Sequence, residues 1–263
     1  MKTNRSATQV IPILGDPVAQ VATPALWNAV FQDRGQDAIC VPLDLPATGL
    51  EPFLSWARQA RNVPGFLSTT PHKAALAQMC DRLSETARSL GVANTFRLTE
   101  TGDLIGDMFD GHGMLDAIEH KGISIAHSTV VICGAGAAGG AIAIEAAQRG
   151  AYSIAVIDID PAQASNLSEK LSLVLNVPVS TSLPSKADIV INASPAGSPA
   201  IAPPPFTRDL ISNALCVADA LTEPEETELL RMARQAGVAA VTGRDMAECQ
   251  ASRMRSFLGL EPT

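Results

Sequence analysis

The sequence predicts an α/β fold divided into two domains, and three observations carry that prediction. Apolar runs of strand length alternate with helical patterns almost from end to end of the 263 residues. The alternation is more regular in the second half than in the first. Between Asp110 and Ser128 the pattern is interrupted by Gly111, Gly113 and Gly122, which predicts the domain boundary there.

Taken in order, Val10–Leu14 reads as a strand, and Pro24–Arg34 as a helix with Thr23 as N-cap and Pro24 as its first residue. Asp37–Leu43 is strand-like, and Thr48–Ala60 has helical spacing through Leu50, Phe53, Leu54 and Ala57. Gly65–Thr70 is a short extended piece ending at Pro71, which starts another helix, and Ala93–Leu98 is a further strand. In the second half Ser128–Cys133 is a buried strand, Ala137–Arg149 a helix closed by Gly150, Ser153–Asp158 a strand and Pro161–Leu175 a helix. Ala187–Asn192 and Leu215–Ala218 are strands, and Pro224–Gln235 is a helix capped by Gly237. Val238–Val241 gives the last strand and Gly243–Leu258 the last helix, while the Pro-rich stretch Ser198–Pro205 reads as a surface loop.

Composition narrows the functional classes. Hydrophobic residues make up 46% and charged residues 17%, as in a globular chain. The net charge of −8 argues against a nucleic-acid backbone or an anionic membrane as the main partner, but leaves room for a small anion in a locally positive site. Five scattered cysteines, Cys40, Cys80, Cys133, Cys216 and Cys249, form no C-x-x-C pair, so neither a disulfide framework nor a zinc site is predicted. His112, His120 and His127 lack metal-ligand spacing, and no metal is expected. Met1 to Gly15 lacks the apolar core of a secretory leader, and the expected location is the cytoplasm.

Gly134-Ala135-Gly136-Ala137-Ala138-Gly139 is a G-x-G-x-x-G that follows the strand Val130–Cys133 and opens a helix. Glycines permit the sharp turn and the approach of a pyrophosphate, while free N–H groups and the helix dipole face the anion. The next strand ends at Asp158, about twenty residues on, where an acid accepts hydrogen bonds from the adenosine ribose. Its charge would repel a 2′-phosphate by up to ~4 kcal/mol at 4 Å and an effective dielectric near 20. With Asp160 following, and neither Arg nor Lys before Ala162, the predicted cofactor is NAD.

The first half holds Thr69-Thr70-Pro71-His72-Lys73, then Gly91-Val92-Ala93-Asn94-Thr95 and Gly106-Asp107-Met108-Phe109-Asp110-Gly111. It opens with Gly15-Asp16-Pro17-Val18 through Thr23-Pro24 and Asn28. The second half adds Asn192-Ala193-Ser194-Pro195, Asp219 through Pro224 and Thr227, and Gly243, Met246 and Gln250. In kind and order these motifs resemble the shikimate/quinate dehydrogenase family over nearly the whole chain. The resemblance implies an N-terminal α/β substrate domain (1–110 and 244–263), a Rossmann dinucleotide-binding domain (111–243) with a cleft between the two, and a last helix that returns to the first domain.

It also implies an alcohol–ketone interconversion by hydride transfer between NAD(H) and a cyclic hydroxy or keto carboxylate, with Lys73 and Asp110 as the catalytic pair. Lys73 would exchange the proton of the reacting hydroxyl, and Asp110 would hydrogen-bond the lysine and a substrate hydroxyl. Thr69, Asn94 and Gln250 would bind ring hydroxyls. Ile159, Ala193, Ser194, Pro195, Gly243 and Met246 would join the glycine turn and Asp158 at the cofactor. A small-molecule substrate and a monomer or homodimer are expected.

The departures from the family concentrate on substrate binding. Two hydroxyls and a tyrosine that hold the substrate carboxylate in the family are here Val21, Thr23 and Thr222. Two lost hydrogen bonds to a charged group cost about 3–6 kcal/mol, or two to four decades in affinity. Met108 and Phe109 place bulk beside Asp110, and Gln20 and Trp27 stand where histidines are usual. Either the pocket is re-aimed at an analogue, or the carboxylate finds a new partner, for which Arg244 is the candidate. A protein that senses NAD(H) or a metabolite without turnover is the rival class, disfavoured by the joint presence of Lys73, Asp110, Asn94 and Gln250.

Overall fold

The computed structural model describes residues 8–19, 21–198 and 203–261. Gln20 and part of the loop predicted over Ser198–Pro205 lie outside them. The chain separates into two compact units, one ending at Phe109 and resuming at Ala251, the other spanning Asp110–Gln250.

The first unit is built on β1 (Gln9–Gly15), α1 (Thr23–Asp33), β2 (Ala38–Asp44), a 3-10 turn at Ala47–Gly49, α2 (Leu50–Ala57), β3 (Gly65–Ser68) and α3 (Lys73–Gln78). It continues through β4 (Arg82–Leu83), α4 (Glu85–Leu90), β5 (Thr95–Leu98) and β6 (Leu104–Asp107). The six strands form one sheet in the order β2-β1-β3-β5-β6-β4. Only β5 runs against its neighbours, so β1, β3 and β6 end at the same edge where β5 begins.

One face packs Ile11, Ile13, Trp27, Phe31, Leu67 and Phe109 against Ala251, Met254, Leu258 and Leu260 of the returning C-terminal segment. On the opposite side Phe66 stacks on Phe96 at 4.9 Å and meets Phe53 edge-on at 5.0 Å. Each such buried aromatic contributes about 1.5–3 kcal/mol. Arg255, 4% exposed, lies over the Trp27 ring at 5.7 Å and donates from Nε to Glu261 at 2.7 Å.

The second unit contains α5 (Asp110–His120), β7 (Thr129–Cys133), α6 (Ala137–Gln148), β8 (Ser153–Ile157), α7 (Pro161–Val174), β9 (Val179–Ser180) and β10 (Ile189–Asn192). It adds α8 (Arg208–Ser212), β11 (Cys216–Asp219), α9 (Glu228–Gln235), β12 (Ala239–Val241) and the first half of α10 (Gly243–Phe257). Its sheet is parallel throughout, in the order β12-β11-β10-β7-β8-β9. Counted from β7 this is the 3-2-1-4-5-6 order of a doubly wound dinucleotide fold. Strands β10 and β11 are buried at every position, as expected of a sheet covered on both faces.

Several local expectations are corrected. α1 begins at Thr23 itself, with Ala22 before it and no side-chain cap. The helix expected from Pro71 begins at Lys73, and the one expected from Pro224 begins at Glu228, where Thr227 accepts the Leu230 N–H. The predicted boundary Asp110–Ser128 is largely helix. Gly111 and Gly113 are packing glycines: a Cβ at Gly111 would sit 2.3 Å from the Ala141 carbonyl oxygen, and one at Gly113 2.7 Å from that of Met246. Those contacts hold α5 to α6 and α10 and put Asp110 in the second unit. The division inside α10 falls after Gln250, so 244–250 also belong there.

Candidate active site

In the second unit each glycine of the turn has its own reason. Gly134 has φ +109°, and a Cβ there would lie 2.6 Å from the Ala193 carbonyl oxygen. At Gly139 a Cβ would come within 1.8 Å of the Gly134 carbonyl oxygen, so only glycine lets α6 start so close to the turn. Gly136 is the N-cap of α6 and nothing lies within 4 Å of its Cβ position. That open side is where a phosphate can approach the first-turn N–H groups of α6, which have no acceptor within the helix. Ala137 and Ala138, the first two helical residues, add no bulk there.

Asp158 follows β8 and accepts from Ala135 N at 2.7 Å and Asp160 N at 3.0 Å, which anchors its carboxylate against the turn. Ile159 beside it is 98% exposed, an apolar surface next to an acid. All of the chain's net charge of −8 falls between Asp110 and Gln250, while outside that span acidic and basic side chains balance.

Beyond β10, Asn192 Oδ1 accepts from Ser194 N at 3.1 Å and Ser194 Oγ at 2.7 Å, which folds Ala193-Ser194-Pro195 into a turn. Burial pushes the neighbouring Cys133 thiol up, with a weak 3.7 Å bond to Ser194 Oγ opposing it. Thr222 is half-buried in the segment after β11. Gly243 lies against that segment, its Cβ position 2.3 Å from the Leu221 carbonyl oxygen. Thr242 and Asp245 cap α10 reciprocally, with Asp245 N donating to Thr242 Oγ1 at 3.0 Å and Thr242 N to Asp245 Oδ2 at 2.9 Å. Met246 is buried, and Gln250 Oε1 is a buried acceptor with no hydrogen-bond partner among the described residues.

In the first unit the sheet edge where β1, β3 and β6 end and β5 begins gathers five candidates. Val21 and Thr23 follow β1, Thr69 and Lys73 follow β3, and Asn94 precedes β5. Backbone bonds fix them: Thr69 N donates to Leu14 O at 2.9 Å, Ala93 N to Lys73 O at 3.2 Å, and Ser68 N to Asn94 O at 2.9 Å. Asn94 is 3% exposed, and its Oδ1 accepts from Thr95 Oγ1 at 3.0 Å and Phe109 N at 3.2 Å. Ligand sites in open α/β sheets form at this edge. His72 is buried, its Nε2 2.7 Å from Leu45 O.

The same unit explains some of the unusual residues. Val21 is half-buried and packs against the cluster containing Trp27, Phe31 and Phe109. Met108 and Phe109 are buried, and Phe109 meets Phe257 at 5.6 Å. Arg244 of the second unit is exposed and engaged by Glu248 at 2.9 Å and Glu225 at 3.9 Å. Asp110, 5% exposed, opens α5.

Two buried polar groups escaped the site reading of the sequence. Asp219 and Thr227, 0% and 1% exposed, join Asn192 in one network. The signal was present in an acid closing an apolar strand and a threonine ahead of a helix, but buried partnership is a tertiary property.

Among the described residues no helix is long and apolar enough to cross a membrane, and no group of three or more His, Cys, Asp or Glu could hold a metal ion. The shikimate dehydrogenase substrate binding domain matches residues 13–96. The chain is 34% identical over 263 positions to the shikimate dehydrogenase (NADP(+)) of Rubrobacter xylanophilus, covering 97% of this chain and 92% of that protein. Its fold matches the quinate dehydrogenase of Corynebacterium glutamicum in complex with NAD with a TM-score of 0.86, at 29% identity over 97% of this chain and 95% of that one. It matches the ligand-free 5-ketofructose reductase of Gluconobacter sp. strain CHM43 with a TM-score of 0.84, at 29% identity over 95% and 92%. With a glycine turn on a doubly wound sheet, a mixed-sheet substrate unit and a relative of this identity along nearly its whole length, the chain belongs to the shikimate/quinate dehydrogenase family of oxidoreductases.

Proposed function

We propose that the protein is an NAD-dependent oxidoreductase acting on shikimate, quinate or an analogue, a cyclic hydroxy or keto carboxylate. The observation that carries the reading is the side-chain chemistry at one sheet edge of the first unit. There a lysine, an amide and the Thr69 hydroxyl are held by backbone bonds to neighbouring segments, and Thr23 opens α1 beyond the end of β1. The Gly136 opening and the Asp158 carboxylate in the second unit fit a dinucleotide with an unphosphorylated ribose. Relatives differ on this point, the Rubrobacter enzyme being named for NADP(+) and the Corynebacterium one being bound to NAD. The fixed negative charge of Asp158 favours NAD here.

A bound nicotinamide supplies the hydride acceptor or donor. Lys73 Nζ takes the hydroxyl proton on oxidation and returns it on reduction, and Asp110 orients a substrate hydroxyl. Thr23 donates to the substrate carboxylate, Thr69 and Asn94 bind ring hydroxyls, and Gln250 Oε1, without a hydrogen-bond partner among the described residues, accepts from another. Gly134, Ala135, Gly136 and Gly139 shape the pyrophosphate site, Ile159 takes the adenine, and Ala193, Pro195, Gly243 and Met246 border the nicotinamide half. Family membership weighs against the sensor reading.

Replacing Lys73 by alanine tests the assignment. The expected result is a kcat lower by about 10²–10⁴-fold with NADH affinity within a few-fold of the unaltered protein. Unchanged turnover would remove the lysine from the chemistry.

A further inference from the structure

We infer that Asp219 is a positioning residue for the nicotinamide half of the dinucleotide site, acting through Asn192 and Leu221 without touching the ligand. The inference rests on the dinucleotide reading of the second unit. Asp219 closes β11 and is 0% exposed, yet it is held by an amide, a hydroxyl and a backbone N–H instead of a cation. Asn192 Nδ2 donates to its Oδ1 at 3.1 Å, Leu221 N donates to the same oxygen at 3.1 Å, and Thr227 Oγ1 donates to Oδ2 at 2.8 Å. A buried carboxylate is costly to desolvate, and an apolar side chain would pack that position more cheaply if packing were its whole task.

Its three donors come from three different segments. Asn192 spends its other amide hydrogen on Ala196 O at 2.8 Å, so its amide cannot flip, and Oδ1 is committed to Ser194 N and Oγ. The turn this fixes lies against the phosphate loop, because Ala193 O occupies the space a Cβ at Gly134 would need. Leu221, held by the second bond, presents its carbonyl oxygen to Gly243 at the start of α10. Thr227 caps α9 with the same hydroxyl that Asp219 engages. One carboxylate therefore sets the mutual register of the loops after β10 and β11 and the first turn of α10.

These loops lie on the β10–β12 side of the glycine turn, whereas Asp158 marks the β8 side. In a doubly wound sheet the adenosine lies toward the strand after the turn, and the other half of the dinucleotide extends the opposite way. Asp219 should therefore affect NADH binding and leave an adenosine-only ligand alone. A residue that merely stabilised the unit would weaken both.

The test compares NADH and ADP binding to the whole protein by titration, for the unaltered chain and for Asp219→Asn. The amide keeps the shape but offers Thr227 a donor where it had an acceptor. The expected result is NADH dissociation weakened about tenfold to a hundredfold, with ADP within about threefold. Asn192→Ala, which leaves Asp219 in place but cuts its link to the Ala193–Pro195 turn, should show the same selective loss and serves if Asp219→Asn does not fold. Equal weakening of both ligands, or NADH binding unaffected in the folded variant, would overturn the inference. Failure of the unaltered protein to bind either ligand would instead overturn the dinucleotide reading on which it rests.

Discussion

In the second unit six strands run parallel, and β10 and β11 are apolar except for Asn192 and Asp219, which close them. In the first unit β5 runs against its neighbours, and exposed and buried positions mix along β2. The charge divides as sharply, with the dinucleotide unit carrying the whole net −8 and the substrate unit balanced. A sheet covered on both faces must be written as continuous apolar runs, so its order survives in the sequence. A mixed sheet whose strands alternate between covered and open positions leaves a weaker trace. In the proposed function the contrast also separates tasks: the regular unit would present backbone N–H groups to a ligand common to many enzymes, and the irregular one side chains to a particular substrate.

The sharpest way to break the contrast is to disturb the packing that makes α5 part of the second unit. Gly111→Ala puts a Cβ against the Ala141 carbonyl, and the expected loss is about 1–3 kcal/mol of stability. Amide hydrogen exchange should show faster exchange in peptides of α5 and α6, with those of β1 and β3 unchanged. Uniform acceleration in both units would mean that they unfold as one body. Asp158→Asn removes the charge while keeping an acceptor for Ala135 N, and the ratio of kcat/KM for NAD over NADP should fall about tenfold. An undiminished ratio would place the selectivity elsewhere.

The smallest expected effect concerns acid stability. Burial raises the Glu145 carboxyl, but His112 at 2.8 Å and Arg149 at 2.7 Å outweigh it and hold the group below its ordinary value. Arg149 also reaches Asp116 at 2.7 Å and Glu119 at 2.6 Å, so the cluster ties α5 to α6. A carboxyl depressed in the folded state contributes stability above its unfolded pKa of about 4.3 and loses it as pH falls through the folded value. Glu145→Gln should therefore lower Tm at neutral pH and flatten its decline in acid. A parallel decline in both proteins would exclude Glu145 from that dependence.

Much of the fold was legible in the sequence for a physical reason. Val130–Cys133, the glycine turn and Ala137–Arg149 satisfy strand, turn and helix rules at once, and the structure has each within a residue or two. Leu104–Asp107 went unread because its four residues include a glycine that packs against Cys80 and Leu83. The helix from Asp110 went unread because Gly111 and Gly113, the residues that bring it against its neighbours, are the usual signs of a break. In the site, backbone-determined parts such as the Gly134–Gly139 turn could be read directly. That Val21 packs against the cluster of Trp27 and Phe109 could not be read from its place in a motif, because packing is a tertiary property. Asp219 looked like a motif letter until its three donors were visible.

The central claim is that a fixed acid selects NAD in one unit while a lysine in the other handles the proton of a shikimate-type alcohol. Initial rates of NADH and NADPH formation with shikimate and with quinate, each dinucleotide in parallel, test it most directly. The expected result is turnover of at least one of the two acids, with kcat/KM for NAD at least about tenfold above that for NADP. Preference for NADP, or no turnover of either acid by a protein that binds NADH, would contradict it.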